Sequence, residues 1–364
     1  MASDARIPAP IPPPQPKISK FKIALCQLLV TPDKERNIAH ARKLIEDAAR
    51  KGAKLVVLPE IWNCPLSLKN LSKYAEDIDA EAACPSISML SEVAFRNGIT
   101  LVGGSIPELS AGQLFNTCCV FGPDGKLKAK HRKLHLFDFE VPGEVAFRES
   151  DFLTAGEEPT IVDTDVGRIG IGICHDIRFP ELAMLYGSRG RSLTQNREAY
   201  TQIYINEDET EVWMMHWRVV RWTSTNWLQQ KHQVKGAHLI CYPGAFNMST
   251  GELLWELMQR ARAADNQLFV ATCAPAPDPN TSADYITWGH SGLVGPFGEI
   301  IATAGHEETT VIAEVDYSLI QFHRISAGRT FLLRCRGREI CTRWLMSLEG
   351  MPSDAHGNIF ASLT

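Results

Sequence analysis

Three residues of this chain have side chains suited to acyl transfer, each in a place where a polar or reactive group stands out from its neighbours. Cys174 ends Arg168-Ile169-Gly170-Ile171-Gly172-Ile173, whose isoleucines alternate with glycines. That pattern predicts a buried strand with its backbone closely packed. Phe179 to Tyr186 has helical spacing, with Pro180 and Glu181 suited to a first turn. Cys174 is therefore expected at a sharp strand-to-helix junction, where the positive end of a helix would ease loss of the thiol proton. Glu60 closes the apolar run Leu55-Val56-Val57-Leu58-Pro59, and a glutamate in such company suits a general base. Lys133 lies in His131-Arg132-Lys133-Leu134-His135-Leu136-Phe137, where an ammonium could hold a forming oxyanion. Taken singly, each has a plainer reading: a cysteine filling the core, a solvated strand cap, a solvated loop charge. Taken together, thiol, base and cation make a working set for covalent hydrolysis of an acyl compound.

The elements that must position them can be read from periodicity. Phe21 to Leu29 reads as a strand and Asp33 to Lys51 as an amphipathic helix with Ile38, Ala41, Leu44, Ile45 and Ala48 on one face. Leu55 to Glu60 reads as a short buried strand, Ala83 to Gly98 as a helix, and Thr100 to Gly104 and Asn116 to Phe121 as strands. Gly122-Pro123-Asp124-Gly125 predicts a tight turn into Lys126 to His131. Arg132 to Glu149 reads as a long loop. Thr160 to Asp163 precedes the Cys174 strand, and a helix is expected at Glu181 to Arg189. Further strands are expected at Ala237 to Tyr242, Gln267 to Cys273, His290 to Val294, Glu299 to Ala302 and Thr310 to Val315, with a helix at Trp255 to Asn266. Some strands alternate with helices and others are joined by hairpins, which predicts a layered α/β fold with two sheets. No internal repeat is evident in the sequence.

Composition narrows the function classes. The chain has 364 residues, 45% of them hydrophobic, and a net charge of −5. It shows no basic block for nucleic acid and no apolar run long enough to span a membrane. Its ten cysteines are scattered without a CxxC pair, so neither zinc nor a disulfide framework is expected, and a reducing compartment is the simplest home. Met1 to Lys17 is proline-rich, without an apolar signal core and poor in arginine and serine. It reads as an extended leader within residues 1–19.

Leu58-Pro59-Glu60, the His131 to Phe137 run and Gly172-Ile173-Cys174, in this order, resemble the carbon–nitrogen hydrolase (nitrilase) superfamily. Finer motifs resemble its omega-amidase branch: Gly103-Gly104-Ser105-Ile106-Pro107-Glu108, Asn116-Thr117-Cys118, Cys241-Tyr242-Pro243-Gly244-Ala245-Phe246-Asn247, Ala263-Ala264-Asp265-Asn266-Gln267 and Trp288-Gly289-His290-Ser291. The likeness runs from about residue 20 to 321, apart from 191–236. It implies a four-layer αββα sandwich, usually paired into a homodimer. Apart from the resemblance, the cysteine usage leads to the expectation of a cytoplasmic home, with an organelle left open, and no metal or other cofactor is expected. The resemblance also implies hydrolysis of the ω-amide of 2-oxoglutaramate or 2-oxosuccinamate, giving 2-oxoglutarate or oxaloacetate plus ammonia. By the resemblance, Cys174 is the nucleophile, Glu60 the general base, Lys133 the oxyanion stabiliser and Glu149 a second glutamate that orients the site. Arg178 matches the arginine expected to hold the substrate's α-carboxylate, a role that a two-pronged guanidinium suits on its own account. A helix-face ion pair with Glu181 is its plainer alternative. His131 and His135 are expected to support the site by packing, and His290 to be structural or at the pocket rim.

The chain also departs from the family. His175 stands where a tyrosine is usual, and Leu66 near another expected tyrosine. Arg191 to Gly236 adds 46 residues carrying Trp213, Trp217, Trp222 and Trp227, with no convincing period. It reads as a retained intron or gene-model error in preference to a lid. Glu339-Ile340-Cys341-Thr342-Arg343 reads as the family's Gly-Asp-Leu-Tyr-Gln ending shifted by one base, so residues 322–364 are taken as a divergent tail that puts the dimer in doubt. Two other functions stay open at this point: hydrolysis of N-carbamoyl or aliphatic amides, and an inactive chain.

Overall fold

A computed structural model describes residues 16–80, 84–141, 145–187, 236–278 and 285–320. The leader, the 191–236 segment short of its last residue, and the tail beyond 320 lie outside the described residues, so the readings made of them stand as sequence readings.

Two six-stranded sheets form the centre. The first contains β1 (Lys20–Gln27), β2 (Ala53–Val57), β3 (Thr100–Ser110), β4 (Gln113–Phe121), β5 (Leu127–Arg132) and β14 (Thr309–Asp316), in the order β14-β1-β2-β3-β4-β5. The second contains β8 (Thr160–Thr164), β9 (Gly167–Ile171), β10 (Leu239–Pro243), β11 (Phe269–Cys273), β12 (Gly292–Val294) and β13 (Ile300–Thr303), in the order β8-β9-β10-β11-β12-β13. Each sheet has three parallel strands, one antiparallel strand on one flank and two on the other. The two halves thus share a topology that no residue repeat reveals, because burial asks only for apolar strands of suitable length and not for a particular sequence.

Helices α1 (Lys34–Arg50) and α2 (Pro85–Asn97) cover the first sheet. Ala41, Ile45 and Ala48 of α1 and Met89, Leu90, Val93 and Ala94 of α2 join Ala24, Cys26, Val56 and Leu101 in one buried cluster. Asp33 caps α1, its carboxylate accepting from the Arg36 amide at 3.0 Å. Helices α3 (Pro180–Gly187) and α4 (Glu256–Asn266) cover the second sheet, where the Tyr186 ring fills the space a Cβ on Gly170 would need. The sheets meet face to face; the Cys273 thiol of the second reaches the Val57 carbonyl of the first at 3.3 Å. The fold is the expected αββα sandwich.

Three elements differ from the sequence reading. Arg132 to Glu149 is not all loop: β6 (Asp138–Val141) pairs antiparallel with β7 (Val145–Arg148). Two four-residue strands are too short for alternation to stand out. β3 runs on to Ser110 and forms a hairpin with β4, with Ala111 and Gly112 at positive φ between them. The helix expected from Trp255 begins earlier, at Met248, and passes through a π turn at Gly251–Trp255 before α4. Glycine weakens a helix interior, yet this position needs it because the Trp288 ring lies 2.3 Å from where a Cβ on Gly251 would be.

Candidate active site

Glu60 is placed by a turn after β2. Gly104, at φ +64, leaves room for that turn: a Cβ there would lie 2.3 Å from the Pro59 carbonyl. Ser105 then donates its amide to Pro59 O at 3.0 Å, while its hydroxyl accepts the Ile61 amide at 3.1 Å. Trp62 Nε1 donates to Gly103 O at 2.7 Å. The Gly103-Gly104-Ser105 motif is thus the bed on which the Glu60 turn lies.

Lys133 follows β5 directly, its amide tied to Asn116 O at 2.8 Å. Its ammonium, 1% exposed, lies 3.0 Å from Glu60 Oε1 and 2.8 Å from Glu149 Oε2. Glu149 also accepts the Phe137 amide at 2.8 Å, and Asn116 Nδ2 donates to Glu60 Oε1 at 2.8 Å. Glu60 therefore sits in buried but polar company, not in the apolar surroundings its strand suggested. Burial alone would lower the Lys133 pKa, but Glu149 and Glu60 outweigh that and hold it well above the ordinary lysine value. Burial raises the Glu149 carboxyl, with the Lys133 charge working against it.

Cys174 occupies the elbow after β9 at φ +46, and its sulfur lies 3.5 Å from the Ala245 amide. The expected activation by a helix is corrected here. Cys174 opens a single 3-10 turn, Cys174–Arg178, and α3 begins only at Pro180. Burial, followed by the Glu60 charge, pushes the thiol well above its ordinary value, and Lys133 opposes this only in part. The resting sulfur is a thiol, so its attack must be coupled to proton removal.

Asp176, which the sequence reading passed over, clamps the elbow. Its carboxylate accepts the Ile173 amide at 2.8 Å and the His135 amide at 2.9 Å. It also bonds His135 Nδ1 at 2.8 Å and His131 Nε2 at 3.2 Å. These partners overcome burial and hold the carboxyl well below the usual range. His131 and His135 thus serve the aspartate that shapes the elbow. The only sequence signal for this was an acidic residue two positions after the cysteine.

A cleft over Cys174 is lined by Phe137, His175, Arg178, Phe246, Thr250 and Tyr285. His175, in the usual place of a tyrosine, bonds Leu136 O through Nδ1 at 3.0 Å, and burial lowers its pKa to about 4, so it is neutral. Leu66 packs instead with Ile61, Cys64, Leu71 and Leu153. The alternative of an Arg178–Glu181 ion pair is not realised. Among the described residues no carboxylate lies within ion-pair range of Arg178, and burial together with the Arg262 charge lowers its pKa. His290 does not line this cleft; it stacks on Trp288 with centroids 4.5 Å apart, and the Trp288 amide donates to the carbonyl of the cleft residue Phe246 at 2.8 Å. Among the described residues the structure thus gathers Glu60, Lys133, Glu149 and Cys174 in one buried group, with Arg178 at the same cleft. Phe137, Phe246 with Thr250, and Tyr285 complete it from three separate stretches of chain.

The carbon-nitrogen hydrolase profile matches residues 22–221 and 221–324. The chain belongs to the carbon-nitrogen hydrolase family. It is a hydrolase of carbon–nitrogen amide bonds. It is 56% identical over 323 residues to the chloroplastic omega-amidase of Arabidopsis thaliana, covering 88% of this chain and 74% of that one. It is 42% identical over 299 residues to omega-amidase NIT2 of Homo sapiens, covering 82% and 90%. Its fold is similar to that of Saccharomyces cerevisiae Nit3, described as a member of branch 10 of the nitrilase superfamily. That match has a TM-score of 0.67 and 38% identity, and it covers 85% of this chain and 94% of Nit3.

The hydrolase's thiols also set its response to alkali. All eight described cysteines are free and buried. Burial pushes Cys26 and Cys64 up to about 12 and Cys119, Cys174 and Cys273 well above the ordinary value. In the unfolded chain such thiols ionise near pH ~8.5. The folded state keeps its protons longer, so stability is full below that pH and falls as pH rises beyond it. Thermal melting from pH 7 to 10 should show a midpoint that declines above pH ~8.5, and a flat profile would contradict these burial shifts.

Proposed function

We propose that this hydrolase is an omega-amidase, removing the ω-amide of 2-oxoglutaramate or 2-oxosuccinamate to give 2-oxoglutarate or oxaloacetate and ammonia. The observation that carries this reading is Arg178, a guanidinium without a carboxylate partner among the described residues, in the same cleft as Cys174. A substrate with an amide at one end and a carboxylate at the other matches that pair. The omega-amidase names of the relatives support the same class.

In the proposed mechanism Glu60 takes the Cys174 proton as the sulfur attacks the amide carbon. The carbonyl oxygen gains the electron pair and is held by the Lys133 ammonium. The tetrahedral adduct collapses, Glu60 passes its proton to the leaving nitrogen, and ammonia departs from a thioester. Glu60 then takes a proton from water, the hydroxide attacks the thioester, and the sulfur leaves with that proton restored. Glu149 orients Lys133, and Asn116 orients Glu60.

The catalytic unit is proposed to span 20–321, interrupted at 191–236, and to act as a homodimer in the cytoplasm. Leu253 and Leu257, four residues apart on one helix and 72% and 62% exposed, support pairing. The free cysteines support a reducing compartment, and the chloroplastic name of the plant relative makes an organelle the alternative.

Arg178→Met tests the reading. Loss of a charge-assisted contact costs ~2–3 kcal/mol, so KM for 2-oxoglutaramate should rise about 10²-fold with kcat little changed. An unchanged KM, or equal turnover of amides lacking a carboxylate, would return the enzyme to the N-carbamoyl or aliphatic amidases.

A further inference from the structure

A second cavity lies under the first turns of the Met248–Asn266 helix, facing β12 and β13. It measures about 140 Å³, and its walls include Glu252, Trp255, Glu256, Gln259, Trp288 and His290. A cavity of ~150 Å³ accommodates a benzene-sized molecule. The hydrolytic reaction uses none of these residues.

Gln259 is the telling one. It is 3% exposed, yet its side-chain amide has no hydrogen-bond partner among the described residues. Buried polar groups are nearly always partnered, and an amide brings one acceptor and two donors. This one faces the cavity, its Oε1 lying 3.1 Å from where a Cβ on Gly292 of the opposite wall would be. On the same wall, His290 Nε2 is fully buried without a partner. Its imidazole, stacked on Trp288, is pushed by burial and by His306 towards the neutral form. The carboxylates of Glu252 and Glu256 border the space, and no lysine or arginine lines it. Glu256 shares its charge with Arg260 through a 3.5 Å contact on the exposed side, which holds it weakly. The field inside is negative, so an anion like the proposed substrate is disfavoured there.

We propose that this cavity is a second ligand site, taking a small organic cation with N–H donors, an alkylammonium or a guanidinium of about six non-hydrogen atoms. Gln259 Oε1 accepts one N–H, Glu252 and Glu256 balance the charge, and the Trp288 face adds a cation–π contact. The site differs from the active cleft in the sign of its charge: Arg178 selects an anion in one, and carboxylates select a cation in the other.

Titration calorimetry of the full chain at fixed ionic strength, with n-butylammonium, methylguanidinium and butyrate in turn, tests this. At least one cation should bind saturably, butyrate should not, and prior alkylation of Cys174 should leave the binding intact. Gln259→Leu should weaken it at least tenfold while circular dichroism and amide hydrolysis stay unchanged. The exposed pair Glu252→Gln/Glu256→Gln should do the same, and stands in if Gln259→Leu fails to fold. The proposal is overturned by no saturable binding of either cation, by equal binding of butyrate, by loss of binding on Cys174 alkylation, or by unchanged binding in the variants.

Discussion

Cys174→Ala is expected to stop ammonia release from 2-oxoglutaramate, a fall of roughly 10⁴-fold or more, as for removal of a covalent nucleophile elsewhere. No other described cysteine lines the cleft, so none can substitute. The fold should survive. The sulfur fills little space, and alanine at φ +46 bears the same backbone strain that cysteine already bears there. The Asp176 clamp on the Ile173 amide does not involve the sulfur. An ammonia-coupled assay beside a thermal melt checks both halves. Residual activity within tenfold of the parent, in a variant with an unchanged melt, would end the covalent mechanism.

Lys133→Gln should lower both activity and stability. The activity loss is about 10³-fold, the scale on which a lost oxyanion donor is felt. The stability loss is ~3–5 kcal/mol, because removing one partner leaves buried carboxylates without their counter-charge. That loss carries a pH signature. Glu149 is already raised by burial, and Lys133 is what opposes the rise. Without Lys133 its folded pKa moves further above the unfolded value of ~4.3. The variant then keeps its stability at acid pH, where the carboxyl is protonated in both states, and loses it as pH rises through the folded value. Urea unfolding at pH 5 and pH 8 should show the larger deficit at pH 8. Lys133→Gln/Glu149→Gln should recover much of the stability and none of the activity. A deficit equal at both pH values would show that Lys133 acts there through packing alone.

Much of this site was legible because its chemistry depends on residue type and local context. Glu60 at the end of an apolar strand, Lys133 in a basic–apolar run and Cys174 after a glycine–isoleucine strand each stood out, and their order carried the family resemblance. Long amphipathic helices such as α1 and hairpins announced by Gly-Pro-Asp-Gly were legible for the same reason: the period or the turn chemistry lies within a few neighbouring residues. The early start of the helix before α4 was hidden because Gly251 locally weakens a helix interior, and only the Trp288 ring, 37 positions away in the chain, explains it.

Residue types alone determined that a thiol, a carboxylate and an ammonium were available for acyl transfer, and that apolar strands enough for two sheets would enclose them. Only the tertiary structure decided their state. Helix proximity suggested a Cys174 that loses its proton more easily, but burial and the Glu60 charge push its thiol the other way. Apolar neighbours suggested apolar surroundings for Glu60, but the Lys133 ammonium, from the residue after β5, and the Asn116 amide, from β4, lie against it. Asp176 gained its role only when His131 and His135 were folded against it. The physical reason is common to all three. A side chain's chemistry is fixed by its type, but its protonation and its partners depend on dielectric and charge within a few ångströms, which chain distance does not record.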